Sequence, residues 1–181
     1  VMHAYEAAYR REVDLKSGER VLLRVIRLDD EERMVQFHEG LSALTVRRRY
    51  FDTMSLAART KHERLMKICE PRLERECAIV VVSLDPNDRE QEIVGVGRLE
   101  DQVGLDVAEF AVLILDAWQG KGLGRLLMEE LVEIAKQHGL RGIEAEILLG
   151  NMRMRKLLKG MGFTLRDDLE EGAMFAEKRF D

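Results

Sequence analysis

Six consecutive residues, Gln119-Gly120-Lys121-Gly122-Leu123-Gly124, carry the strongest chemical signal in the chain. They stand between an apolar run, Val107 to Leu115, and an amphipathic helix pattern. A strand that turns through glycines into a helix N-terminus presents backbone N–H groups and the positive end of the helix dipole, which together favour a phosphate. The apolar run is broken by one charge, Glu109. A carboxylate in apolar surroundings resists ionisation, so burial here predicts a pKa raised toward neutrality, suited to general-base work.

The glycine spacing narrows the phosphate. A P-loop needs Gly-Lys followed by Ser or Thr, whereas Gly120-Lys121 is followed by Gly122. A dinucleotide fingerprint needs a third glycine where Arg125 stands, and it opens a βαβ unit rather than following short hairpins. A tight strand-to-helix turn with no ligand remains the plain alternative on the loop alone.

The elements that must position these groups follow from periodicity and breakers. Val21 to Leu28 reads as a strand. Asp29 offers an N-cap for a helix to about Gly40, and residues 41 to 51 read as a short helix with a basic face. Thr60-Lys61-His62-Glu63 has the form of a capping box opening a helix to about Cys69. Cys77 to Leu84, Glu92 to Glu100 and Val107 to Leu115 form an antiparallel meander, with a turn at Asp85-Pro86-Asn87-Asp88. Leu123, Leu126, Leu127, Leu131, Ile134 and Ala135 share one helix face, and Gly139 ends that helix. Ile143 to Leu149 is a strand, and Asn151 caps a helix ending near Gly160. Residues 163 to 166 and 173 to 179 close the sheet as a strand pair. The order predicts a mixed α/β sheet with helices on both faces.

Composition sets limits. The 181 residues suggest one domain, with a core from about 20 to 180 and residues 1 to 18 as a polar N-terminal extension. A formal net charge of −5 argues against nucleic acid as a partner and suits cationic substrates. The two cysteines, Cys69 and Cys77, read as buried thiols, and four histidines suggest no metal site. No run is long enough to span a membrane, so the expectation is a cytoplasmic protein.

The third reading of the glycine stretch accounts for all of its residues. Gln119, Gly122 and Gly124 occupy the fixed positions of Gln-x-x-Gly-x-Gly, which resembles motif A of the GNAT superfamily of acyl-CoA-dependent N-acyltransferases. The stretch from Asn151 to Gly162-Phe163 resembles motif B of the same superfamily. The likeness extends from about Val21 to Arg179. LSALTVRRRYF, EIVGVGRLE and AEFAVLILDAWQGKGLGRLLM together look like the acetyltransferase domain of bacterial protein lysine acetyltransferases.

That resemblance implies a GNAT fold, with a mostly antiparallel sheet and one splayed parallel pair. It implies acetyl-CoA as co-substrate, with the pantetheine arm on the backbone of Val112 and Ile114. The pyrophosphate would lie on the amides of Gln119, Gly120, Lys121, Gly122, Leu123 and Gly124. Lys121 and Arg125 would add charge near the phosphates, although both could equally be solvated surface cations. Asn151 would bond the pantetheine amide, or serve as a plain N-cap.

A lysine ammonium has a pKa of about 10.4, so transfer to it needs a proton acceptor. The resemblance puts a glutamate base at Glu109; a cross-strand pair with Arg98 is the structural alternative. Many members carry a tyrosine acid where this chain has Leu158. Arg47, Arg48 and Arg49 read as a solvated helix face, or as a dock for an acidic protein patch. Trp118, Met152, Met154 and Met161 read as packing or pocket wall. Three functions stay open: acetylation of protein lysines, acetylation of a small amine, and a catalytically silent acyl-CoA-binding module. Both monomer and homodimer fit.

Overall fold

A computed structural model describes residues 9–51, 54–70 and 75–181; residues 1–8 of the expected N-terminal extension lie outside the described residues. Eight strands form one sheet in the order β1-β2-β3-β4-β5-β6-β8-β7. These are β1 (Arg10–Asp14), β2 (Arg20–Val25), β3 (Glu76–Leu84), β4 (Glu90–Asp101), β5 (Val107–Ile114), β6 (Gly142–Leu148), β7 (Thr164–Asp168) and β8 (Ala173–Arg179). All neighbours are antiparallel except β5 and β6. The helices are α1 (Glu31–Glu39), α2 (Ala43–Tyr50), α3 (Leu56–Arg59), α4 (His62–Cys69), α5 (Leu123–Gln137) and α6 (Met152–Gly160).

The expected mixed sheet with helices on both faces is present, and three local readings change. Residues 10–14, read as part of a polar extension, pair along β2 as an edge strand. Arg11 ties that strand to α5 through an ion pair with Glu130, a residue buried on the helix's inner side. The capping box at residues 60–63 does not form: the Thr60 hydroxyl donates to the Leu56 carbonyl, ending α3 instead, and α4 starts after Lys61 with no side-chain cap. Asp29 is exposed, and the carboxylate that matters is its neighbour Asp30.

α5 lies close on β4 because Gly95 and Gly97 offer no side chain there. A Cβ on either would stand 3.2–3.3 Å from Leu127. Leu123, Leu127, Leu131, Ile134 and Ala135 are fully buried against that face. α1 packs on the opposite face of β4, and α2 lies across β5 and β6.

One buried ion pair anchors α1. Arg24 of β2 and Asp30 are both buried, with Nη1–Oδ2 and Nη2–Oδ1 each 2.7 Å. The Arg27 backbone N–H also donates to Asp30 at 2.8 Å. Burial opposes the charge on Asp30, but the bonds from Arg24 and Arg27 outweigh it and lower its pKa. A carboxylate with a lowered folded-state pKa stabilises the fold above its unfolded pKa, and that contribution is lost as pH falls through the folded one. Asp30→Ala is therefore expected to cost about 1.5–3 kcal/mol in urea unfolding at pH 7, because Arg24 loses both bonds to Asp30 and keeps Glu90, at 2.8 Å, as its carboxylate partner. The difference from wild type should begin to shrink below about pH 4, where the unfolded carboxylate protonates, and the contribution is lost as pH falls through the lowered folded pKa.

Candidate active site

β5 and β6 pair only at Val107↔Gly142, Ala108↔Ile143 and Glu109↔Glu144, while β5 stays paired with β4 as far as Ile114. Beyond Glu109 the two parallel strands part. The Leu115 N–H donates to Val94 and the Gln102 N–H to Val107, which sets the phase of the β4–β5 ladder. Odd-numbered residues of β5 bond β4, so the backbone groups of Phe110, Val112 and Ile114 face the gap. That gap is part of a cleft of about 1140 Å³.

The glycine turn forms one end of the cleft. Gly120 and Gly122 have φ of 81° and 88°, a region that disfavours any residue with a Cβ. Gly122 caps α5, and the cleft wall includes Gln119, Gly120, Gly122, Leu123, Gly124 and Arg125. Val112, Ile114 and Asn151 also line it. The structure thus brings nine of the ten expected cofactor-site residues into one wall.

Lys121 is the exception. Its Nζ turns to Glu19 at 2.6 Å and lies over the Trp118 ring. This bond holds the Glu19 carboxyl down at about 2. Arg125 is exposed, with its Nε on Glu129 at 2.9 Å.

Gln119 has a second job that its motif position does not reveal. Its Nε2 donates to the Ile114 carbonyl at 3.1 Å and to Thr45 Oγ1 at 3.2 Å, and its Oε1 accepts from Arg153 at 3.3 Å. Asp116 works beside it. The Asp116 carboxylate accepts the Ser42 N–H at 2.9 Å and the Thr45 hydroxyl at 3.1 Å. The start of α2 is thereby bolted to the turn before α5. Asn151 does cap α6, accepting the Met154 N–H through Oδ1 at 3.2 Å. The remaining NH2 is a donor.

Glu109 sits at the point where the strands part, on the face that carries α1 and α2. The sequence reading placed it in a buried setting. The structure leaves it exposed, accepting a 3.1 Å bond from Gln102, so the desolvation argument lapses. Its carboxylate is on the rim because α5 covers the opposite face of β5, where Phe110 is buried. The pair with Arg98 does not form either: Arg98 lies opposite Ala111, two residues along.

Register reveals a feature that was not legible beforehand. Glu76, Glu100, Glu109, Glu144 and Glu177 stand directly opposite one another across β3, β4, β5, β6 and β8. Five carboxylates therefore cross one face of the sheet in a single row. Burial and the neighbouring Glu177 raise the pKa of Glu144.

Other expected residues sort by position. Leu158 is fully buried in the core, so the place of the absent tyrosine is not in the cleft wall. Arg48 and Arg49 are not a solvated face; both line the cleft, and only Arg47 is exposed. Trp118 and Met154 are wall, Met152 is exposed, and Met161 packs on the core. Cys69 and Cys77 are buried, and burial pushes each thiol up to about 11. Among the described residues no cluster of His, Cys, Asp or Glu is placed to hold a metal, and no helix is long and apolar enough to cross a membrane.

A family model described as the acetyltransferase (GNAT) family matches residues 44–163, which include the cleft's glycine turn and α6. The chain belongs to that family. It is 31% identical over 157 residues to the acetyltransferase PA5475 of Pseudomonas aeruginosa, covering 87% of this chain and 82% of that protein. The GNAT domain of S. lividans PAT superposes with a TM-score of 0.82 at 25% identity, over 97% of this chain and 99% of that one. The PaiA N-acetyltransferase of Thermoplasma acidophilum, solved with coenzyme A, has the same fold, with a TM-score of 0.68 at 14% identity, over 88% and 99%. The chain is thus a GNAT enzyme, an acetyl-CoA-dependent N-acetyltransferase.

The bolt between α2 and the turn can be tested directly. Asp116→Ala removes the acceptor for two α2 donors and is expected to cost about 0.5–2 kcal/mol, the range for a lost helix cap. Amide exchange should speed at residues 42–46 and stay unchanged in β3. Equal exchange in both proteins would show that α2 does not depend on Asp116.

Proposed function

We propose that this GNAT enzyme acetylates the side-chain amine of protein lysines, by direct transfer from acetyl-CoA within a ternary complex. The observation that carries the reading is the position of Glu109. It hangs over the parting of β5 and β6, on the face opposite α5, at the head of the gap that the pantetheine arm would enter.

The chain's own groups divide the work. The outward backbone of Val112 and Ile114 offers a strand-like edge for the pantetheine amides. The Ile114 carbonyl already serves Gln119, so Val112 supplies the fuller pair of donor and acceptor. The N–H groups of Gly122, Leu123 and Gly124 point from the α5 N-terminus toward a pyrophosphate, with Arg125 at the rim. Asn151 donates its NH2 to a pantetheine carbonyl. Lys121, tied to Glu19, has no part in this reading.

The glutamate row supports a cationic acceptor. Like charges placed directly opposite one another destabilise a sheet, and a surface that carries five of them attracts an ammonium ion. Glu109 then takes the proton, and the neutral amine attacks the thioester carbonyl; as the C–N bond forms the C–S bond breaks, and coenzyme A leaves as a thiolate that takes up the proton shed by the acylated nitrogen. An N–H at the parting, near Val112, is placed to stabilise the oxyanion that develops on the carbonyl. The sequence resemblance to bacterial protein lysine acetyltransferases supports lysine as the acceptor. The small-amine alternative is separated by incubating labelled acetyl-CoA with a cell lysate. Label in the protein fraction supports the proposal, and label confined to small molecules overturns it.

Glu109→Gln is expected to lower kcat by about 10²- to 10⁴-fold, the usual worth of a general base. Acetyl-CoA affinity, read by calorimetry, should stay within about twofold, since the side chain lines the cleft away from the glycine turn and is assigned no bond to the cofactor. Full activity of the variant across pH would remove Glu109 from the chemistry. Gly122→Ala should do the reverse. Forcing a Cβ into positive φ costs about 1–2 kcal/mol, so acetyl-CoA binding should weaken by about tenfold.

A further inference from the structure

A second cavity, of about 450 Å³, opens beside the cleft on the face that carries α1, α2 and α4. Arg49, Tyr50, Arg98, Ala111 and Leu113 are walls of both. Its charged lining is Arg49, Arg64, Lys67 and Arg98 against the single carboxylate Glu63, with neutral His38 at the back.

The guanidiniums of this region bond mostly to neutral groups among the described residues. Arg59, just behind the cavity, donates to the Met54 and His38 carbonyls, each at 2.9 Å. Arg64 donates to the Arg59 carbonyl at 2.8 Å and to the Tyr50 hydroxyl at 2.9 Å. The Arg49 guanidinium lies 4.8 Å over the Tyr50 ring. Every one of these partners is neutral. Arg98 Nη1 is fully buried and meets no acceptor among the described residues. Glu76 and Glu100 act on Arg98 through space.

His38 supplies a second orphan. It is only 1% exposed, and its Nδ1 faces Arg59 Nη1 at 3.4 Å. An arginine N–H can only donate, so Nδ1 carries the lone pair and Nε2 carries the proton. Nε2 also meets no acceptor among the described residues. Burial and the charges of Arg64, Arg59 and Arg49 hold the His38 pKa down to about 4, so this ring is a neutral donor at physiological pH. Among the described residues these two buried donors lack an acceptor, and an anion in the cavity would supply one.

We propose that this cavity is a carboxylate subsite for the acceptor, placed beside the amine that Glu109 deprotonates. The inference rests on the amine-acetylation reading. Arg98 and Glu109 project from the same face of adjacent strands, with Glu109 two residues, about 7 Å, along β5 from Arg98's cross-strand partner Ala111. One acceptor can therefore lay its ammonium on the glutamate row and its carboxylate on Arg98. The carboxylate has two possible sources: an acidic side chain flanking a protein lysine, or the α-carboxylate of a free amino acid.

The first test needs no turnover. Glutarate is titrated into the full chain at constant ionic strength, and the His38 ring is followed by NMR. Binding should shift its resonances and move its pKa upward from about 4, because an anion favours the imidazolium. Arg98→Gln should abolish the response, and Arg64→Gln, at the cavity edge, should weaken it if the first variant fails to fold. An unmoved ring at about 10 mM glutarate, a ligand too weak to matter on the affinity scale, overturns the subsite.

The second test is kinetic. Lysine peptides with Glu or Gln beside the lysine separate the flanking source. Nα-acetyl-lysine and its amide separate the α-carboxylate source. In at least one pair the carboxylate member should show kcat/KM about tenfold higher, through KM, and Arg98→Gln should erase that preference. Equal rates in both pairs overturn the acceptor assignment. If no amine of any kind is acetylated, the amine-transfer reading itself fails, and the NMR titration still decides whether the cavity takes an anion.

Discussion

β5 is bonded to β4 along its whole length but to β6 at only three residues. Much else in the molecule depends on that unequal sharing. A backbone edge without a partner must find water or a ligand, because an unpaired buried amide is costly. Where the strands part, the edge of Phe110, Val112 and Ile114 faces a space wide enough for an extended chain. The glycine turn closes one end of this space and Glu109 marks the other. The proposed cofactor site and the proposed base are thus two ends of one geometric fault in the sheet.

Around that fault, charge is sorted by position. The α5 N-terminus presents backbone N–H groups to one end of the cleft. Five glutamates cross the sheet at the other, and a cationic cavity adjoins them under α1, α2 and α4. Neither charged group helps the fold. Opposed carboxylates repel one another, and a buried guanidinium carries a desolvation cost. The fold carries them because it is secured elsewhere, by the buried Arg24–Asp30 pair and by the apolar face of α5 against Gly95 and Gly97.

Much of this was legible in the residues. Motif A and motif B placed the turn and α6 within a residue or two, since glycines at fixed spacing and an Asn cap are local signals. The meander was equally plain from its apolar runs. The misses share a cause. Glu109 reads as buried in one dimension, yet only one face of β5 is covered, and a sequence does not state which. The glutamate row depends on the registers of four strand pairs, so its members lie up to a hundred residues apart with no periodicity to betray them. Asp116 gives no local signal because both of its partners, Ser42 and Thr45, lie more than seventy residues upstream. Residues 10–14 looked polar because an edge strand needs no apolar face.

The bolt of Asp116, Gln119 and Thr45 joins α2, beside the proposed acceptor site, to the turn proposed to hold the cofactor. Arg153 extends it to α6 through the same glutamine. Two sites that share a rigid strut do not fill independently. Any order that one ligand imposes on the strut is order the other no longer has to supply, and the resulting free-energy coupling is identical whichever ligand arrives first. Cofactor and acceptor should therefore each report on the other, and the strength of that cross-talk is set in large part by a single amide side chain that touches all three walls.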